Sequence, residues 1–490
     1  MKADLTRDTF DAANHFRRVL HQQGRVTLDA DPNEQAAILL HYLQSLARDL
    51  IGPYGAPAAG GGFALSVDDN RQLLIGAGNF YVDGLLVEND APCSYAQQPD
   101  YAAATDDALL KELRQPGGKT FWLYLDVWER HVSWIEHPAL LEQALGGVDT
   151  TTRSKLVWQV RALEVDRNGG GEDQRTRLAT LEKQQQSLVQ ERDKATAPNR
   201  IAALDAKLAA LNDKIDKVRA EREGAGQVDC AGPLDGLVAL SSASLAARVD
   251  PGQVVPDACT IAPDAQYRGA ENQLYRVEIH RGGRAGEATF KWARDNGSVA
   301  AAWLGSDGND LQVSATRGFD AGNWVELSDD ALDLDGRSGQ LVRLVKVDGG
   351  VLTVDPDSNP ATDALAWNAA LANPKVRRWD QAQVGDLQLD GGAVPVVESN
   401  ADGDAWLHLE DGVQIRFAPG GTYRAGDYWL IPARVASGRV EWPLADGEPA
   451  LRPPAGVRHH YAPLGFVGSD DGEIRIESCR CEFGPLRVCP

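Results

Sequence analysis

Apolar positions along the chain fall into three regimes. Between residues 31 and 52, Ala36, Leu39, Leu40, Leu43, Ala47 and Leu50 recur at helical spacing, so one helix carries a stripe that must bury against something. Asp31-Pro32-Asn33-Glu34 offers an N-cap, a first-turn proline and the returning glutamate of a capping box. Gly52-Pro53 ends the helix, and a Gly/Ala/Pro loop runs on to Gly62.

From Phe63 to about Val165 the period drops to two, as in LLIGAGNFYVDGLLVEN, FWLYLDVWERHVSWIEH and KLVWQVRALEV, which predicts strands. In the middle run Trp122, Tyr124, Trp128 and Trp134 share one parity, while Phe121, Leu123, Leu125 and Val127 share the other. That strand is expected to be covered on both faces at its start. Asp83-Gly84 predicts a tight hairpin over residues 79–88.

Residues 172–223 hold Ala, Leu, Gln, Glu, Asp, Lys and Arg almost to the exclusion of Gly and aromatics, a helical composition. Ile201, Leu204, Leu208, Leu211, Ile215 and Val218 alternate in steps of three and four as a coiled-coil seam, and Leu178, Leu181 and Leu188 form a poorer seam before them. Ala197-Pro198-Asn199 lies between the halves, which predicts an antiparallel hairpin of roughly 22 residues per arm, about 33 Å long. Six seam positions are too few to require a multi-chain coil, so the seam is expected to close within one chain. From Asp250 onward short strands separated by Gly and Asp return, a density that suits sandwiches, barrels or stacked hairpins.

The predicted fold class is therefore mainly β and multi-domain, with antiparallel sandwiches or barrel-like sheets, an N-terminal helix and an inserted helical hairpin. The expected divisions are an arm and helix at 1–62, a β-rich domain at 63–171, the hairpin at 172–223, and β-rich domains at 224–370 and 371–490.

Composition narrows the function classes. A formal charge of -22 over 490 residues disfavours nucleic acid and anionic membrane surfaces as partners. No run approaches the ~20 apolar residues of a membrane helix, and the first fifteen residues carry charges where a signal peptide carries its apolar core. Synthesis and assembly in the cytoplasm, without a signal peptide, are expected.

Candidate chemistry is sparse. Cys479, Cys481 and Cys489 lack the paired CxxC knuckles of a zinc site, and Cys230 and Cys259 invite a disulfide, but half-buried thiols are the simplest reading of all five. His131 and His137 are six residues apart, about 20 Å on an extended strand, and His459 and His460 point to opposite faces. The Asp-rich stretches at 306–310, 329–335 and 402–404 lack an EF-hand pattern and read as solvated turns. No phosphate loop, HExxH, GxSxG or dinucleotide fingerprint is present, so no catalytic, cofactor or metal residue is nominated. The twelve Trp are expected mainly in β cores and interfaces, with sugar stacking as the other use.

The segments DLTRDTFDAANHFRRVLHQQGRVTLDADPNEQ, LYLDVWERHVSWIEHPALLEQALGGVDTTTRSKLVWQVR, EATFKWARDNGSV, GTYRAGDYWLIPARV and PPAGVRHHYAPLGFV resemble the DUF6519 type of uncharacterised bacterial protein. Members tend to be encoded among genes for contractile injection systems and phage-tail-like particles. The resemblance implies a structural or accessory component at the baseplate, as a fibre or as an outer appendage, and not an enzyme. It implies self-association, expected as a homotrimer, with other particle proteins as partners and extracellular exposure on a released particle. A carbohydrate-binding adhesin is the first alternative and a polysaccharide-degrading enzyme the second.

Overall fold

A computed structural model describes residues 1–102, 107–165, 241–252, 266–358, 365–382, 388–400, 406–470 and 473–484, together with selected positions between 180 and 237. Leu178, Val218, Ala197-Pro198-Asn199, Cys259, Cys489 and the 402–404 turn lie outside the described residues. The chain is mainly β, as its periodicity predicts, and its strands enclose three hydrophobic cores.

The first core lies against an antiparallel sheet in the spatial order Arg153–Val165, Thr120–Val132, His459–Asp470, Glu473–Ser478. Phe121, Leu123, Leu125 and Val127 point into this core, while Trp122, Tyr124 and Trp128 are buried on the opposite face. The strand is thus covered on both sides, which explains its unbroken apolar run. A second sheet orders Glu482–Phe483, Tyr54–Pro57, Gly78–Val82 and Leu85–Asn89. Its predicted hairpin turns at Asp83 and Gly84, both with positive φ.

The second core fills a sandwich. A five-stranded sheet, ordered Val394–Pro395, Thr289–Ala293, Gln273–Arg281, Tyr428–Arg434, Arg439–Val440, faces the three strands Leu245–Val249, Val413–Phe417 and Leu407–His408. The third core is the interior of a closed six-stranded barrel built from Ala300–Asp307, Asp310–Val313, Val351–Val354, Gln340–Asp348, Trp324–Ser328 and Lys375–Trp379. The strands of residues 371–490 are shared among all three bodies: 375–379 in the barrel, 428–434 in the sandwich and 459–470 beside 120–128 in the first sheet.

The N-terminal helix, α1, spans Ala30–Ile51 and stops at Gly52 as expected. Its start differs from the expected capping box. Asp29 stands at the N-cap position without capping the helix, because its carboxylate accepts from the Thr6 amide (2.9 Å) and hydroxyl (2.6 Å). Glu34 accepts from the Thr9 hydroxyl (2.6 Å). Asp31, the expected N-cap, lies one residue inside the helix and accepts from the Leu28 amide (3.0 Å), so neither it nor Glu34 forms the expected box.

Described positions between 180 and 217 are helical. Leu181 and Leu188 of the first arm pack against Leu211 and Ile215 of the second. Gln185 donates to Asn212 (2.6 Å) and Arg192 to Asp205 (2.8 Å), so the two described helical stretches run antiparallel. Leu204 is buried with Leu211 and Ile215, while Ile201 and Leu208 are half-buried.

The thiol reading is corrected at one pair. Cys230 and Cys479 form a disulfide across 249 residues, with their Cα atoms 5.6 Å apart. The fold brings the end of the 473–478 strand under the segment that follows the helical arms, where Leu234 and Leu237 cover Trp122 and Phe466. Cys93 and Cys481 are free thiols.

Candidate interaction surface

The helical stripe that had to bury against something faces outward. Leu39, Leu40, Leu43, Leu46 and Leu50 are 43–58% exposed, and Tyr42 is 63% exposed. The face turned to the protein carries Ala30 and Ile38, the buried residues of α1. Gly84 makes this seating possible: a Cβ there would stand 2.0 Å from the Gln44 carbonyl oxygen. Arg48 lies 3.6 Å from Asp83, whose other oxygen takes the His460 ring nitrogen at 2.8 Å. That histidine bond holds the Asp83 carboxyl below its usual range despite partial burial.

The arm preceding α1 extends the apolar surface. Phe16, Leu20, Val26 and Leu28 are 42–85% exposed. Val19 is tied to Gln35 (2.9 Å) and Phe10 packs on His41 with ring centres 5.7 Å apart, so the arm follows the helix. Together these ten side chains leave on the order of 1,000 Å² of apolar surface open, against the ~800 Å² that one partner contributes to a standard interface.

The first residues of the arm are anchored where sandwich and barrel meet. The Asn296 amide donates to the carbonyls of Met1 (3.0 Å) and Ala3 (2.8 Å), and Lys2 reaches Glu278 (3.0 Å). Arg434 donates to the Thr6 carbonyl (2.9 Å), and Arg7 pairs with Glu441 (3.2 Å). Around Lys2 lies a buried charge cage: Lys291 bonds Glu326 and lies 3.3 Å from Glu278, and the Trp379 indole N–H donates to Glu326 (2.9 Å). Burial pushes the Glu326 carboxyl up, but Lys291 and Lys2 outweigh it and bring the pKa to about 2. These acids are permanently ionised partners of buried lysines, a structural arrangement.

A second cluster holds the only grouping among the described residues with metal-like spacing, the half-buried Glu136 and Asp330 and the exposed Asp333. Its cation is Lys375, bonded to Glu136 and to Asp333 (2.7 Å) and 3.5 Å from Asp330, with Arg130 paired to Asp330 from the other side. The 329–335 acids thus bind protein cations, and Asp329 caps the Asp330–Leu334 helix. Asp310 accepts from Thr353 (2.6 Å) on the neighbouring barrel strand.

The histidines do not converge. His459 pairs with Asp126 (2.7 Å), His460 with Asp83, and the His131 Nε2 is buried without a partner. Burial, with Arg377 nearby, lowers His131 to about 3, so it stays neutral at physiological pH. All twelve Trp are buried or half-buried, none exposed. The sequence pattern located the stripe but not its direction, and the charge cages left no local signal because their members come from distant strands.

Fold and surface together define a β scaffold of two sheet bodies and a barrel that displays an ordered apolar helix. The chain belongs to DUF6519, a family of unknown function, whose model matches residues 1–489. No curated protein matches it. A solved structure, the crystal structure of TssK, aligns over 83% of this chain and 99% of that one at 9% identity, with a TM-score of 0.15. A superposition that loose carries no argument.

Proposed function

We propose that this chain is a non-enzymatic structural component of a contractile injection system or phage-tail-like particle, at its baseplate, as a fibre or as an outer appendage. It acts by assembling through α1 and the arm onto further copies of itself, as a homotrimer. The observation that carries the reading is the outward stripe. Ala36, Leu43 and Leu50 recur every seven residues, with Leu39/Leu40 and Leu46/Ala47 between them, the spacing by which equivalent helices of neighbouring copies interdigitate. An area that large does not stay in water on an ordered helix at working concentration. The particle assignment draws on the family resemblance. Stacking of glycans on exposed Trp finds no support, since every Trp is at least half-buried.

Multi-angle light scattering at micromolar concentration tests the self-association: three times the 52.8 kDa chain mass is expected, and a monomer sinks it. Velocity sedimentation of a native lysate, with antibody detection in each fraction, tests the particle. Co-migration with sheath-and-tube assemblies is expected, and recovery only at the mass of the free oligomer overturns the assignment.

A further inference from the structure

The outer face of the three-stranded sheet, opposite the second core, is polar. Alternation sends Leu245, Ala247, Val413, Ile415 and Phe417 inward and leaves Arg248, Gln414 and Arg416 on the other side. The register sets Arg248 opposite Gln414 and Ala246 opposite Arg416, so the arginines are diagonal neighbours. Trp406, just before the edge strand Leu407–His408, meets both. The Arg248 guanidinium carbon lies 4.0 Å from its ring centre and that of Arg416 lies 5.0 Å away.

Neither arginine has an ion-pair partner among the described residues. Arg248 Nε donates to Gln414 Oε1 (2.7 Å), and the Gln414 amide nitrogen contacts the His408 ring (2.8 Å). Arg416 is nine-tenths buried, and its Nε has no hydrogen-bond partner. The other buried cations are met: Arg276 by Glu278, Lys291 by Glu326, Lys375 by Glu136 and Asp333, Arg377 by the Gly297 carbonyl. Asp250 and Glu448 act on Arg248 only from beyond ion-pair distance, so in a chain of charge -22 two guanidiniums gathered on one indole with no carboxylate paired to either are a departure that like-charge repulsion opposes.

We propose that Arg248, Arg416 and Trp406 form a binding site for the oxyanion group of a small ligand, a carboxylate or a phosphate. With the Arg248 Nε engaged and the Arg416 Nε buried, the terminal N–H edges of the two forks are what remains to bind. That edge geometry suits a bidentate oxyanion. The indole holds both forks in place, and Gln414 orients Arg248.

Free phosphate and the carboxylate of an acidic sugar offer this same chemistry, so the full chain is titrated with inorganic phosphate, read by phosphorus NMR line width, and with glucuronate, read by saturation-transfer NMR. Saturable binding of at least one probe is expected, and the tighter one identifies the source. Arg248→Gln and Arg416→Lys weaken it by about tenfold or more, the loss of one charge-assisted contact, whereas Arg343→Gln on the exposed barrel surface leaves it unchanged. Arg416→Lys keeps the buried charge and so keeps the fold, which circular dichroism checks. No saturable binding of either probe, or binding that survives both substitutions, overturns the site.

Discussion

Replacing Lys375 by methionine removes one positive charge from a place that three carboxylates share. Lys375 is 2% exposed, and the carboxylate oxygens of Glu136, Asp330 and Asp333 lie within 4.8 Å of one another. Burial drives the Glu136 carboxyl up; Lys375 and the Ser133 hydrogen bonds outweigh it and hold the pKa at about 2, against an ordinary 4.5. That gap is worth about 3 kcal/mol at neutral pH. Since the folded value lies below the unfolded one, this stability is fully present above about pH 4.5 and is lost as pH falls towards 2. With the ammonium gone, Arg130 is the cation among the described residues still paired with the acids, and Lys2 acts on Asp333 from further off; the cost is that of breaking a buried ion pair, about 3–5 kcal/mol. Over a cooperative unit of 150–250 residues this lowers the melting temperature by about 6–20 °C. Thermal unfolding followed by circular dichroism at pH 7 measures it. The deficit narrows at pH 5, where the freed carboxylates protonate, and millimolar calcium restores part of it by taking the lysine's place among three acids. A Lys375→Met protein that melts within about 1 °C of its parent at pH 7, with or without calcium, refutes the reasoning.

Three further outcomes are expected. Leu40→Lys, Leu43→Lys and Leu50→Lys combined leave the circular dichroism spectrum unchanged but reduce the light-scattering mass to one chain, because each half-exposed leucine forfeits about 2 kcal/mol of interface burial; an unchanged mass removes α1 from the interface. Gly84→Ala combines a φ of +82° with a backbone clash of 2.0 Å, so α1 lifts from the hairpin and hydrogen exchange rises along Ala30–Ile51; native exchange there contradicts the seating described. Cys230→Ser, or reduction of the parent, opens a loop of 249 residues and costs at most about 5 kcal/mol; equal melting temperatures with and without reductant show that the bridge contributes nothing.

Much of this protein is determined locally and was therefore legible in its sequence. The period-two runs, the Asp83-Gly84 hairpin and the double-sided cover of the 121–128 strand all follow from side-chain direction and turn chemistry over a few residues. The tertiary structure decided the rest, because those outcomes depend on which distant strands become neighbours. His459–Asp470 pairs with Thr120–Val132, more than 300 positions earlier, Cys230 meets Cys479, and Lys375 meets Glu136 across 239 residues. The direction of α1 belongs here too. Its stripe demanded burial, but Asp29 and Glu34 are bound to Thr6 and Thr9, and Gly84 receives the opposite face. Periodicity states how much apolar surface a helix has; only the packing of its polar face and its tethers states where that surface points.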